Sequence, residues 1–499
     1  MAVGCALRGV AGVPVTVEAD LANGLPNFTV VGLTDRAIQE ARERVRAAIS
    51  NAGFEFPQRR LTINLAPAEL PKEGTAFDLP IALAVLGSCG KQLDMRGTAA
   101  VGELALDASV RAVVGVLPMA RALRAAGTRR LLVPEVNAAE AMLVEGLEVV
   151  GVPSLPACVG HLDGSRPLRT ALVAAAPPPA SVREADLADV RGQPFAKRAL
   201  EIAAAGGHNL LMVGPPGSGK TMLAQALVSV LPDLEVDDAL EVAAVYSLRG
   251  ALRERPATCA RPPFRAPHHS ISRAGLVGGG SGLAQPGELS LAHRGMLFLD
   301  ELCEFPRSLL ESLRQPLEER SITIVRSRGS VVLPADFALV AAANPCPCGY
   351  LEDSRRACTC GPRELAVYQA RLSGPLRDRI DLVVPVPRQQ YAQLFATGAP
   401  EEHSAQVRDR VSAARERQRA RNRGALNAAL EGNRLVDGCH PEAGATALLA
   451  TAGERLALSA RAYHRVLRVA RTLADLEGSE RVGQGHVGEA LRYRGEEAA

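Results

Sequence analysis

The chain has 499 residues, 47% of them apolar, a length that accommodates roughly two to four domains with buried cores. Its formal net charge is only +3 with 22% charged residues, so no global field selects nucleic acid, a membrane surface or an acidic substrate. No apolar run reaches the roughly 18 to 20 residues of a membrane span, and the opening MAVGCALRGVAGVPVTVEAD lacks the basic-then-apolar order of a secretory signal; both predict a cytoplasmic chain with reduced thiols and no membrane partner.

In chain order, TDRAIQEARERVRAAISNAG puts Ala37, Ile38, Ala41, Val45, Ala48 and Ile49 on one helical face, with Thr34 as N-cap and Gly53 as stop. LTINL then alternates as a strand does. Helices and strands interleave across residues 1–165, which predicts an α/β domain. The proline-rich run AAAPPPAS inside 166–182 cannot be a helix interior and reads as a linker. Residues 183–390 read as a second α/β unit. From about 391 to 499, Ala, Leu and Arg at helical spacing predict an all-helical end.

NLLMVGPPGSGKTMLAQALVSV is a short buried strand, a glycine-rich turn and a helix. Its GPPGSGKT, Gly214, Pro215, Pro216, Gly217, Ser218, Gly219, Lys220 and Thr221, matches the phosphate-binding loop. Glycines let backbone N–H groups close around the phosphates of ATP, Lys220 reaches the terminal ones, and Thr221 ligates Mg²⁺. The pair His268–His269 reads as a hydrogen-bonded loop without a catalytic role, because adjacent histidines rarely aim at one ion. The glycine-rich 275–288 has neither a leading strand nor a following Lys-Ser/Thr and reads as a mobile insert. The strand GMLFLDE ends in Asp300, a carboxylate for the Mg²⁺ shell, and Glu301, which orients or deprotonates the attacking water.

RSITIVRSRGSVVLPADF reads as a hairpin whose tip carries Arg326 and Arg328; such a tip suits a nucleic-acid backbone, although any surface hairpin can carry two arginines. A third buried strand, FALVAAAN, ends at Asn344. Behind it Cys346, Cys348, Cys358 and Cys360 form a CxC-x9-CxC cluster. Four thiolates can close a tetrahedral zinc site over a loop with little core of its own; the other reading is small buried thiols beside the strand. Residues 407–424 hold seven arginines against two acids, which an exposed helix face explains, an intersubunit or DNA contact being the alternative. In the final helices Arg461, Arg465 and Arg468 share one face, opposite Val466, Val469, Ala470 and Leu473.

With these strings on the page, the chain resembles the AAA+ ATPases and, within them, the magnesium-chelatase-like YifB/ComM family. The resemblance runs over essentially the whole length and rests on DVRGQ (189–193), GPPGSGKT, FRAPHHSIS (264–272), QPGELSLAHRGMLFLDEL (285–302), NPCPCG (344–349) and RLSGPLRDRIDL (371–382). It implies that Asn344 is the sensor-1 residue positioning the hydrolytic water, Arg379 an arginine finger offered to a neighbour's site, and Arg461 the sensor-2 arginine. A finger supplied in trans implies a homo-oligomeric ring, by family a hexamer, and the basic hairpin would face its pore. The first domain resembles the proteolytic domain of Lon proteases, with Ala76 and Pro118 where that family has its serine and lysine, which implies the fold without peptidase chemistry. The function implied is an ATP-driven motor on branched or single-stranded DNA, a branch-migration helicase of natural transformation. A chelatase-type motor for tetrapyrroles or a protein remodeller are the alternatives.

Overall fold

The computed structural model describes residues 1–32, 35–70, 72, 74–170, 185–252, 259–280, 284–326, 329–353, 355–389 and 401–494, with backbone only at 35–39, 326 and 329. The predicted N-cap Thr34, most of the linker and Arg328 with the hairpin tip lie outside the described residues, as does the side chain of Arg326.

Alternating residues build the first sheet. β1 (Ala2–Arg8) and β2 (Ala11–Ala22) pair antiparallel, β3 (Asn27–Val31) runs parallel to β4 (Arg60–Ala66), and β4 joins β2 in the order β1-β2-β4-β3. Leu61, Ile63 and Leu65 of LTINL point inward. Helix α1 (Asp35–Asn51) buries Ala41, Val45, Ala48 and Ile49, and Gly53, with φ of 79°, takes the left-handed conformation past its end. Helix α2 (Asp78–Ser88) is buried along nearly its whole length. β5 (Thr98–Ala100), β6 (Glu103–Leu104), β7 (Val110–Arg111), helix α3 (Val116–Ala125), β8 (Arg130–Pro134) and β9 (Glu148–Val152) complete this part, with β5, β8 and β9 forming a parallel sheet. Ala76 is buried before α2, and Pro118 sits in the first turn of α3, where a missing N–H costs nothing.

The second half opens with helix α4 (Pro194–Gly206), β10 (Leu210–Val213), helix α5 (Lys220–Val230), helix α6 (Val236–Arg249) and β11 (Phe264–Arg265). Helix α7 (Arg273–Val277), β12 (Gly278–Gly279), β13 (Gln285–Pro286), β14 (Met296–Leu299) and helix α8 (Arg314–Glu319) follow. β15 (Ser321–Arg326) and β16 (Gly329–Pro334) are the predicted hairpin, and β17 (Ala338–Ala343) and β18 (Leu382–Pro385) are the last strands. β11, β14, β17, β10 and β18 lie in that order in one all-parallel sheet. The three apolar runs are continuous because both faces are covered: Leu210, Met212, Phe298, Val340 and Ala342 enter one core, and Leu211, Leu297, Leu299, Leu339 and Ala341 the other.

The C-terminal helices close the first of those cores. Helix α9 (Ser404–Arg421) spans the arginine-rich segment; Arg410 and Arg417 lie on an exposed face as expected, while its other side is packed. Val407, Val411 and Ala414 are buried against α4 and α5, and the flanking arginines are consumed at that seam. Arg408 donates to the Ser229 carbonyl at 2.9 Å, Arg415 to the Ala204 carbonyl at 2.8 Å, and Arg410 to Glu201 at 2.6 Å. Guanidinium groups here satisfy carbonyls at the ends of neighbouring helices. Helix α10 (Ala460–Glu477) has the predicted division, with Val466, Val469, Ala470 and Leu473 buried.

The two halves touch through α3 and α6, where Leu117 packs on Ala243 and Ala244. Ser247 donates to the Glu140 carboxylate, which also accepts from the Leu117 amide at 2.8 Å, while the Gly115 amide donates to the Ser247 carbonyl at 3.1 Å. The turn between β1 and β2 reaches further, so that a Cβ on Gly9 would lie 2.8 Å from the carbonyl oxygen of Val332 in β16. Among the described residues no helix is long and apolar enough to cross a membrane.

Candidate nucleotide site

At the C-terminal end of β10 the chain turns through the phosphate loop into α5. Gly217 and Gly219 adopt φ of 76° and 94°, and a Cβ on Gly214 would come within 2.1 Å of the Val386 carbonyl oxygen, so glycine is required for conformation at two positions and for space at the third. Lys220 lies across the loop, its Nζ 2.7 Å from the Gly214 carbonyl, 3.0 Å from that of Pro215 and 3.4 Å from Asn344 Oδ1. Burial pushes its ammonium below the usual lysine range, against the opposing charges of Asp300 and Glu301. The hydroxyl of Ser218 is buried without a partner among the described residues, an orphaned donor that suits a phosphate oxygen.

Parallel pairing brings the other groups to the same rim. Val213 is in register with Ala343, so Asn344 stands beside the start of the loop. β14, two strands from β10, ends in Asp300, whose Oδ2 accepts from Thr221 Oγ1 at 2.8 Å. Glu301 follows in the left-handed region, φ 50°, with its amide donating to Asp300 Oδ1 at 2.9 Å and its side chain turned outward, 55% exposed. Such a conformation in a non-glycine residue costs energy and is kept where it aims a side chain.

Arg379 and Arg461 stand elsewhere. Arg379 precedes β18 at the N-terminal rim of the sheet, where the Asn209 side chain donates to its carbonyl at 2.8 Å. β10 is four residues long, so the two rims are about 13 Å apart before any loop is added. Arg379 and Arg461 share a cleft of about 920 Å³, together with Arg468 and Asp378. Burial lowers the Arg379 guanidinium's proton affinity, and the charges of Arg314 and Arg461 lower it further, so three cations crowd one place. Glu318 pairs with Arg379, and Glu311 with Arg314.

A polar brace, not legible in the sequence, fixes that rim. Arg465 donates to the carbonyls of Ile380 at 2.7 Å and Arg377 at 3.1 Å. The His208 ring, fully buried, sits with Nδ1 3.1 Å from Asp381 Oδ2 and Nε2 2.8 Å from Thr472 Oγ1, joining β10, the Arg379 loop and α10.

The four cysteines after Asn344 converge, with sulfurs within 4.8 Å of one another. Sγ of Cys346 lies 3.3 Å from that of Cys348 and 3.7 Å from that of Cys358, and the amides of Cys348 and Cys360 each donate to a cysteine sulfur at 3.4 Å. A tetrahedral zinc with bonds near 2.3 Å sets its sulfurs roughly 3.8 Å apart, so the donor set fits. Backbone amides of Thr359 and Tyr350 bring the Cys348 thiol down to about 5. The knuckle rests on the phosphate loop: a Cβ on Gly349 would lie 2.6 Å from Cδ of Pro216.

Comparison with known proteins agrees with this geometry. Over 98% of its length the chain is 45% identical to competence protein ComM of Haemophilus influenzae, covering 96% of it, and 44% identical to the uncharacterized protein YifB of Escherichia coli, again covering 96%. The chain belongs to the YifB/ComM family of magnesium-chelatase-like AAA+ ATPases. Three family models match it: magnesium chelatase, subunit ChlI, over 186–394; subunit ChlI of Mg-chelatase over 17–137; and the ChlI C-terminal region over 401–494. A third of the chain is 27% identical to Lon protease 2 of Bacillus subtilis, consistent with the resemblance seen in its first domain. For this YifB/ComM member the fold is therefore an α/β N-terminal region, a parallel-sheet AAA+ core and a helical C-terminal region.

Proposed function

We propose that the chain is an ATP-hydrolysing motor that works as a homo-oligomeric ring, by family a hexamer, and remodels branched or single-stranded DNA. The division that goes with this reading is a Lon-like domain without its dyad at 1–165, a linker at 166–182, an ATPase core at 183–390 and a lid at 391–499. The observation that carries it is the separation of the site residues. Lys220, Thr221, Asp300, Glu301 and Asn344 meet at one rim, while Arg379 and Arg461 gather at the other. Glu318 and Glu311 counter part of the positive charge in that cleft, and the nucleotide of an adjacent subunit is the further anion that a head-to-tail ring would supply.

In this scheme the triphosphate draws Lys220 Nζ from the carbonyls of Gly214 and Pro215, and loop amides and Ser218 receive the phosphate oxygens. Thr221 and Asp300 would hold Mg²⁺, which when bound neutralises charge on the β- and γ-phosphates. Asn344 positions the water and Glu301 takes its proton as oxygen attacks phosphorus, ADP leaving in line. Arg379 and Arg461 of the neighbour offset the charge spread over the transferred group. The four cysteines would hold a structural zinc, and through Gly349 and Pro216 they support the loop that receives ATP. The DNA reading is supported by likeness to ComM and by Arg326 and Arg328 in the hairpin sequence.

The test is ATP-dependent movement of a synthetic four-way junction, beside a Glu301→Gln variant. Movement that depends on Glu301 is expected. ATP turnover without movement or DNA affinity would overturn the DNA cargo and turn attention to a protein or chelatase partner.

A further inference from the structure

Four of the ten cysteines share the knuckle behind Asn344, and they are not equally accessible. Cys346 is fully buried, whereas Cys348, Cys358 and Cys360 are open in part to solvent. The Sγ atoms of Cys348 and Cys358, which come from opposite ends of the intervening loop, lie 3.5 Å apart. A tetrahedral zinc holds two sulfurs roughly 3.8 Å apart, while a disulfide draws them to about 2.05 Å. The same pair cannot do both at once.

The knuckle also bears on the nucleotide site by two routes. The Gly349 amide donates to the Cys346 carbonyl at 2.9 Å, closing a turn in which Gly349, with φ of 83°, abuts the Pro216 ring of the phosphate loop. Next to it the Tyr350 ring lies 4.3 Å from the Arg356 guanidinium and 6.0 Å from that of Arg388, and Asp353 pairs with Arg388 at 3.8 Å. Arg388 follows Val386 by two residues, and the Val386 carbonyl is the atom that leaves no room for a side chain at Gly214.

We propose that the Cys348–Cys358 pair is a peroxide-reactive site whose oxidation dismantles the knuckle and lowers the affinity for ATP. This rests on the reading of the four cysteines as zinc ligands and of GPPGSGKT as the ATP site. The Cys348 thiolate attacks one oxygen of hydrogen peroxide: an S–O bond forms, the O–O bond breaks and hydroxide leaves. The Cys358 thiolate then attacks that sulfur, the S–S bond forms and a second hydroxide leaves. Two electrons pass from the two thiolates to the peroxide, and the buffer protonates both hydroxides. Cys346 lies 3.3 Å from Cys348, but it is shielded from the reagent and separated from Cys348 by a single residue, so the cross-loop pair is the one that closes. Two thiolates then remain where a structural site needs four, and the loop, with little core of its own, loses the ion that shapes it. Gly349 gives up its seat against Pro216, and Tyr350 and Asp353 their hold on Arg388. A thiol reductant reverses the bond by exchange.

The experiment uses the full-length chain with Cys89→Ser and Cys259→Ser, which remove accessible thiols outside the knuckle. The reduced protein is treated with hydrogen peroxide and followed by a metallochromic dye for zinc, by peptide mapping without reductant, and by binding of a fluorescent ATP analogue. About one zinc per chain should be released together with a Cys348–Cys358 linkage, and affinity for the analogue should fall about 10- to 100-fold. Far-UV circular dichroism should stay unchanged, and reductant with zinc should restore binding. By linkage, saturating ATP should raise the affinity of the reduced knuckle for zinc by the same factor. Zinc that stays in place under peroxide, a linkage that leaves Cys348 and Cys358 free, or analogue affinity within twofold after release would each overturn the proposal. Global unfolding on oxidation would overturn it too. A reduced chain without zinc would sink the ligand reading before any peroxide is added, and a zinc-loaded chain that does not bind the analogue would sink the ATP-site reading.

Discussion

The two rims of the parallel sheet are built by opposite logic. At the C-terminal rim, short loops present one lysine, one threonine, two acids and one amide to a shared space, and these groups already hydrogen-bond one another. At the N-terminal rim, several arginines crowd together with Glu318 and Glu311 between them, and order comes from behind, through Arg465, His208 and Asp381 bonding the loop to α10. The first rim gathers the groups for a phosphate ligand in one place, whereas on the proposed ring reading the second would be completed by another subunit.

The sharpest way to break this contrast is Arg379→Ala. Assembled rings should lose about 10³-fold or more in kcat, the scale of an arginine finger, with ATP affinity nearly unchanged. The same idea is tested by mixing Arg379→Ala subunits with Lys220→Ala subunits, each inactive alone. In equal mixtures about a quarter of the interfaces pair an intact loop with an intact finger, and activity should return in that proportion. No recovery would mean that both groups serve one subunit.

Arg461→Ala should act in the same direction with a smaller loss, about 10²-fold in kcat. Removing zinc with a chelator, or replacing Cys348 by Ser, sharpens the other rim. ATP affinity should weaken about 10- to 100-fold, because the knuckle supports the phosphate loop, and elemental analysis should find one zinc per chain beforehand. The smallest effect concerns the brace. Thr472→Val leaves the buried His208 nitrogen without its partner and should cost about 1 to 3 kcal/mol, read by denaturant unfolding of the full chain. Burial alone would raise the Asp381 carboxyl, yet the bond to His208 and the charges of His208, Arg468 and Arg465 hold it below the usual aspartate range. Its stabilising contribution is therefore complete above the unfolded value of about 4 and is lost as pH falls through the lower folded value, so an acid titration of unfolding should steepen there.

Much of the first rim was legible in the sequence because its chemistry is local. GPPGSGKT and the strand ending in Asp300 and Glu301 name both the residues and their conformation, and the alternation of LTINL names its sheet face. The brace was not, since His208 and Asp381 are 173 residues apart, Thr472 lies 264 residues from His208, and the three share no period. Part of α9 escaped for a related reason: composition suggested an exposed face, which Arg410 and Arg417 occupy, but not that Arg408 and Arg415 reach carbonyls at the ends of α5 and α4.

The absent side chain at Gly9 has a mechanical meaning. Because nothing separates the β1–β2 turn from the Val332 carbonyl, the first domain buttresses the far strand of the basic hairpin, while α3 and α6 clamp that domain to the core. A region that packs on the hairpin on one side and on α6 on the other is placed to act as the hairpin's support.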